Sequence, residues 1–226
     1  MWPWATVTEL VELLMRIYAE ENPGFTADAV YCYGQEKDNI PSVVSRAVKL
    51  LRDGKVNHIA QSTFGGLEKY KWEYELIRAK LLEEGVPEKA IVPIPHPTEF
   101  NIAHTHTEAI GLARYAKEAG WQLIYVTALP SHALRAYTET VTAIIREYPQ
   151  LLAYSVVGAV LPWTENATHS QGVVSGRRHE VIGKADNSEI KKIIRYYLKG
   201  DLVSAREVLD YLNLRTDMLR ELDKRQ

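Results

Sequence analysis

The sequence predicts an α/β fold: a three-layer α/β/α arrangement around a parallel sheet, with a helical C-terminal extension. Three observations carry that expectation. From residue 28 to 160, short apolar runs alternate with longer segments of helical period. Repeated strand–helix alternation implies a parallel sheet covered on both faces. Gly54, Gly85 and Gly120 each fall just past a helical segment, where a left-handed cap favours glycine. Beyond 160 the composition shifts to Gly, Thr, Ser and Asn. The expected organisation is an N-terminal helix over 1–27, an α/β domain over 28–160, and a loop-and-helix extension over 161–226 packed on it.

The elements follow in order. Thr6 and Glu9 have capping-box spacing, and Leu10, Leu13, Leu14, Ile17 and Tyr18 recur on one helical face. Asn22-Pro23-Gly24 stops that helix. Strands are expected over Ala29–Tyr33, Val56–Gln61, Ala90–Ile94, Trp121–Val126 and Leu152–Val160. Helices are expected over Ser42–Asp53, Lys71–Glu84, Thr105–Ala119 and Ser131–Tyr148. A weak strand is expected around Glu180–Gly183, then helices over Ser188–Leu198 and Asp201–Leu212, the last region running on towards the end. Trp2 and Trp4 lie outside the alternating core, so they cover a sheet edge or serve a dimer.

Composition bounds the function. The chain of 226 residues is 46% hydrophobic and 25% charged, which is globular rather than disordered. Lys+Arg 27 against Asp+Glu 29 gives a formal charge of -2, not the footprint of a nucleic-acid or membrane-surface binder. The one cysteine, Cys32, allows no intrachain disulfide and no multi-cysteine zinc site. No apolar run is long enough for a membrane span. Glu9, Glu12 and Arg16 interrupt the first apolar stretch, which argues against a signal peptide. A cytoplasmic protein is expected, as a monomer or a homodimer.

Open parallel sheets bind ligands outside the carboxyl ends of their strands. The loop at Gly34-Gln35 follows the first strand, and Ser62-Thr63-Phe64-Gly65-Gly66 follows the second. Two adjacent glycines let backbone N–H groups turn to an anion, or simply make a turn. There is no G-x-G-x-x-G fingerprint, so ordinary dinucleotide binding is not indicated. Thr127 and Ser131 flank the fourth loop, and His132 and Arg135 follow at a spacing that shares one helical face. His suits proton transfer and Arg suits anion binding; a solvated polar face has the same spacing. Glu73 and Glu108 are expected at helix N-termini, where the macrodipole alone accounts for a carboxylate. Their functional alternative is a general base or a ribose-hydroxyl acceptor. His96, His104 and His106 cluster near a Pro-rich loop but lack recognisable metal-ligand spacing, so no metal is expected. The basic residues of the tail, Lys191, Lys192 and Arg195 among them, read as a solvated helix face.

Together these segments resemble the YdcF/SanA/ElyC-like family over about residues 28–148. The matching pieces are Asp28 to Gly34, Arg46-Ala47, Ser62 to Gly66, Glu73 ahead of Gly85-Val86-Pro87, Thr105 to Ala109, and Val126-Thr127 with His132 to Ala136. Glu108 stands where the family pattern has Asn, and one extra residue lies between Thr127 and His132. Lacking the membrane anchor of many relatives, the chain is similar to the YdcF-like branch. The resemblance implies a Rossmann-like sheet and a small-molecule site gathering Arg46, Glu73, Thr105, His132 and Arg135. An adenosyl ligand such as S-adenosylmethionine is among those it implies. Two classes of function remain open: an enzyme acting on a small anionic or nucleotide-like molecule, with His132 and Glu73 in the chemistry, and a sensor that binds without turnover.

Overall fold

A five-stranded parallel sheet in the order β3-β2-β1-β4-β5 forms the centre of the fold. The computed structural model describes residues 3–19, 24–64, 68–169, 174–183 and 188–223. The sheet strands are β1 (Ala27–Cys32), β2 (Val56–Ser62), β3 (Ile91–Ile94), β4 (Leu123–Thr127) and β5 (Leu152–Ser155). The helices between them are α2 (Ile40–Arg52), α3 (Glu68–Glu83), α4 (Thr105–Ala119) and α5 (Ala133–Glu147), and α1 (Val7–Ala19) precedes them. A two-stranded antiparallel hairpin follows, β6 (Asn166–His169) with β7 (Val174–Arg177), then α6 (Arg178–Gly183), α7 (Glu189–Leu198) and α8 (Ala205–Asp223). The expected three-layer α/β/α, Rossmann-like architecture is what the chain adopts.

Strand alternation sorts the core. Ala29, Tyr31 and Tyr33 point to one face of the sheet, where α1, α4, α5, α7 and α8 pack. Val30 and Cys32 point to the other, against α2 and α3. Asp28 ties the strand starts together, its carboxylate accepting from the backbone N–H of Gln122 and Leu123 at 2.7 and 3.0 Å. At the other end Tyr31 is level with Val126 and Cys32 with Thr127. Strand order reverses between β1 and β4, so their carboxyl ends open the crevice where such sheets bind ligands.

The glycine stops hold: Gly54, Gly85 and Gly120 have φ of +66°, +80° and +70°. The N-terminal capping box forms, with Glu9 accepting from Thr6 N–H at 2.8 Å and Thr6 Oγ accepting from Glu9 N–H at 3.2 Å. Of the α1 face, Leu13 and Ile17 are buried, whereas Leu14 and Tyr18 are more than one-third exposed. Trp4 is buried in the same chain, donating to the Val203 carbonyl at 3.1 Å; Trp2 lies outside the described residues.

Three expectations need correction. β5 ends at Ser155 rather than Val160, because the following backbone bonds elsewhere: Ala159 N–H donates to Ser42 O and Gly158 N–H to Ala128 O. A Cβ on Gly158 would press on Ser42 Oγ and on the Ala128 carbonyl, which explains a glycine at this crossing. Glu180–Gly183 belongs to helix α6, not to a strand. The strand pairing lies upstream, and Asp38 anchors its hairpin by accepting from Thr168 N–H and Oγ–H, both at 3.0 Å. The last helix starts at Ala205, not Asp201, behind a Ser204–Glu207 capping box, and runs unbroken to Asp223. Among the described residues, no helix is long and apolar enough to cross a membrane.

Candidate functional site

A cavity of about 410 Å³ opens at the ends of β1 and β4, within the size range of small-molecule sites. Its floor is the Gly34–Gln35 turn after β1. Its walls come from α3, α4, α5 and α7.

One side of the cavity is acidic. Glu108, in the first turn of α4, is buried, and its carboxylate accepts from Tyr31 Oη–H and Gly34 N–H, both at 3.0 Å. Burial pushes its pKa up to about 6, although those two hydrogen bonds and Arg135 pull the other way. Glu73 was expected to open its helix. The helix begins at Glu68, so Glu73 sits a turn further in and the macrodipole does not account for it. Its carboxyl lies over Gly34, where an added Cβ would come within 2.5 Å of Oε1. Burial raises the Glu73 pKa to about 9, with the charges of Glu108 and Glu36 adding to it. Two carboxyls in one crevice with displaced and unequal pKa values are a pattern of acid–base sites.

The other side is basic and closed by α7. Arg135 is buried; its Nε donates to Glu189 Oε2 at 2.5 Å, and Nη1 lies 3.9 Å from Glu139 Oε1. Burial works against its charge, yet Glu189 and Glu139 raise its pKa overall. Lys192 donates to Glu189 Oε1 at 3.0 Å, and burial lowers its pKa despite that partner. Burial works against the charge of Glu189 too, but Arg135, His132 and Lys192 hold its carboxyl well below the usual range.

His132 stands between the two sides. As the N-cap residue of α5 it makes no capping hydrogen bond, which leaves its ring for the cavity. Nδ1 is 3.2 Å from Gln35 Nε2, and Nε2 is 3.2 Å from Thr105 Oγ. The Tyr33 ring meets it edge-on at 6.1 Å. His104 also lines the cavity; burial pulls its pKa down to about 4, helped by the charges of His106 and Arg135.

The cavity thus gathers Gly34, Gln35, Glu73, Thr105, Glu108, His132 and Arg135 of the expected site. It does not gather Arg46, whose Nε donates to the Val157 carbonyl at 2.9 Å and braces the chain after β5. Thr63 bonds the Ile94 carbonyl at 3.2 Å and joins the ends of β2 and β3. Thr127 is wholly buried behind the wall, and Ser131 is not on the lining either. Gly65 and Gly66 lie outside the described residues. Their neighbour Phe64 does line the cavity, with a φ of +55° that an aromatic residue rarely adopts.

The sequence reading placed α7 but missed its part in the cavity. Lys192 is a wall of the cavity rather than part of a solvated face, and Glu189 and Tyr196 join it there. Their spacing of three and four was a visible polar stripe, beside the apolar stripe of Ile190, Ile193, Ile194 and Tyr197. Trp72 was missed as well; it lines the cavity and carries Lys37 Nζ 5.4 Å above its ring. Among the described residues, no group of three or more His, Cys, Asp and Glu side chains could hold a metal ion.

The displaced Glu73 makes a testable prediction. Its folded pKa lies above the unfolded value, so the folded chain holds a proton that the unfolded chain releases between about 4.5 and about 9. Stability therefore falls as pH rises through that window. The slope is bounded by about 1.4 kcal/mol per pH unit for one proton, and solvent access to Glu73 keeps it below that bound. Glu73→Gln, a neutral substitute, should remove this part of the slope. Urea denaturation at pH 7.0 to 8.5 (about half-unit steps) should show the variant gaining on the parent as pH rises. Parallel curves would show that Glu73 is ionised in the fold.

The fold and the cavity define a Rossmann-like α/β protein with a polar cavity at its topological switch point. No protein-family model matches the chain, and no curated protein matches it.

Proposed function

We propose that the chain is a YdcF-like enzyme of the cytoplasm that binds a small anionic or nucleotide-like molecule in this cavity and moves a proton through His132. The observation that carries the reading is the position of His132, held at both ring nitrogens between Gln35 and Thr105 at the mouth of β1 and β4. A general acid or base needs that fixed orientation within reach of a ligand. Glu73, protonated near neutral pH, supplies a second proton. Arg135 and Lys192 offer positive charge to an anionic group, and Glu108 offers an acceptor to hydroxyls. S-adenosylmethionine carries both a carboxylate and a cationic sulfonium, which suits a cavity with a basic and an acidic side. The net charge of -2 fits a small-molecule partner better than nucleic acid. Nothing in the reading requires more than a monomer, and a homodimer is compatible with it.

A non-catalytic sensor is favoured by one observation. Arg135, Lys192 and Glu189 already satisfy one another, as a structural network would. Thermal shift against nucleotides, sugar phosphates and S-adenosylmethionine, followed by product analysis of each hit, separates the two. A ligand at 100 times its Kd stabilises by about 2.7 kcal/mol. Product formation that depends on His132 supports the enzyme; saturable binding without product supports the sensor. No response to any of these ligand classes would overturn both.

A further inference from the structure

His132 is held at both ring nitrogens by groups that can change role. A neutral imidazole with its proton on Nε2 accepts at Nδ1, whereas an imidazolium donates at both nitrogens. The Gln35 amide presents a donor in one orientation and an acceptor in the other, and the Thr105 hydroxyl rotates. Both charge states are therefore hydrogen-bonded without backbone movement, and the surrounding charge decides between them. Tyr33, just past β1, meets the ring edge-on; Glu189 reaches towards it from α7, and Arg135 of its own helix and Lys192 of α7 bond Glu189 beside it. His104 and Glu108 of α4, Glu73 of α3 and Glu36 of the first loop share the cavity. Glu189 Oε2 comes to 3.9 Å from His132 Nε2.

We propose that Glu189 is the positioning residue that keeps His132 in its protonated, proton-donating form, so that the C-terminal extension sets the acid–base state of the cavity. The proposal rests on His132 being the proton-transfer group. Three features suit Glu189 to the role. It is 6% exposed, so little water screens its field. Its oxygens are fixed by Arg135 at 2.5 Å and Lys192 at 3.0 Å, and its helix is capped by Ser188 and anchored by the fully buried Ile193. The same two cations keep the carboxyl ionised, so it does not take the proton itself and the proton stays on the imidazole.

The test is an NMR titration of the histidine side chains of the full chain, with His132 assigned by its loss in His132→Asn. Glu189→Gln should lower the His132 midpoint by about one pH unit or more, a roughly tenfold loss of proton affinity. Glu189→Asp should recover at least half of that shift. A merely structural Glu189 would lower the melting temperature and leave the midpoint unmoved, which would overturn the proposal. If Glu189→Gln does not fold, the double variant Glu189→Gln with Lys192→Met keeps the buried charge balanced. Compared with Lys192→Met alone, so that the lysine's own effect on His132 cancels, it should shift the midpoint in the same direction, and an unmoved midpoint in that comparison also overturns the proposal. The titration needs no ligand. A shifted midpoint without any ligand response sinks only the functional reading; His132-dependent turnover with an unshifted midpoint sinks only this one.

Discussion

Arg135→Ala should cost about 3–5 kcal/mol of folding stability, because it removes the guanidinium that faces two buried carboxylates, although Lys192 still bonds Glu189. Glu189 and Glu139 both face the guanidinium, and both are buried. Arg135→Lys should recover only part of the loss, since an ammonium cannot present the Nε–H edge that Glu189 uses. The diagnostic experiment is a double-mutant cycle with Glu189→Ala in urea. Removing both partners should be less costly than the sum of the single changes, by about 0.5–3 kcal/mol. Additive losses would mean that the two side chains do not act as a pair, and that α7 is held by Ile193 and its apolar neighbours alone. The same cycle read through ligand affinity shows whether an incoming anion competes with Glu189 for Arg135.

His132→Ala should reduce turnover by about 10²–10⁴-fold while leaving ligand affinity within about tenfold. The asymmetry matters more than the size. Losing a group that donates a proton in the transition state lowers kcat, whereas losing one that only grips the ligand raises KM. The substitution also leaves the Gln35 amide and the Thr105 hydroxyl without their partner. Stability should therefore fall by about 1–3 kcal/mol, and melting curves must accompany the kinetics. His132→Asn, which keeps a polar partner for both, should recover stability but not turnover. A variant that loses affinity and keeps kcat would make His132 a binding group.

Most of the fold was legible because its signals are local and repeated. α4 was readable from Thr105 to Ala119 because Gly120 marks its end and apolar residues recur along it. The sheet was readable because strands covered on both faces are continuous apolar runs. β6 and β7 were not, since four-residue strands such as Asn166–His169 show no alternation and owe their position to Asp38, far away in sequence. The α8 start was readable and overlooked: Ser204-x-x-Glu207 repeats the signature of Thr6-x-x-Glu9. For the site, the loops at the strand ends pointed to the end of the sheet where the cavity opens. Which side chains turn inward is a matter of tertiary packing. Arg46 went to a backbone carbonyl instead of the cavity. Glu189 and Lys192 have the three-residue spacing of an ordinary exposed ion pair, so no local pattern separates a wall of the cavity from a solvated helix.

The buried Trp4 has a consequence for how the chain is made. Its indole bonds the carbonyl of Val203, 199 residues later, and its own carbonyl accepts from Ala205 N–H. A ribosome adding about 5–20 residues per second needs about 10–40 s to produce the intervening chain. Through that interval α1 has emerged but α8, one of its packing surfaces, does not yet exist. Trp4 and the α1 face beside it are thus covered only once α8 has been made, long after the sheet strands they pack near.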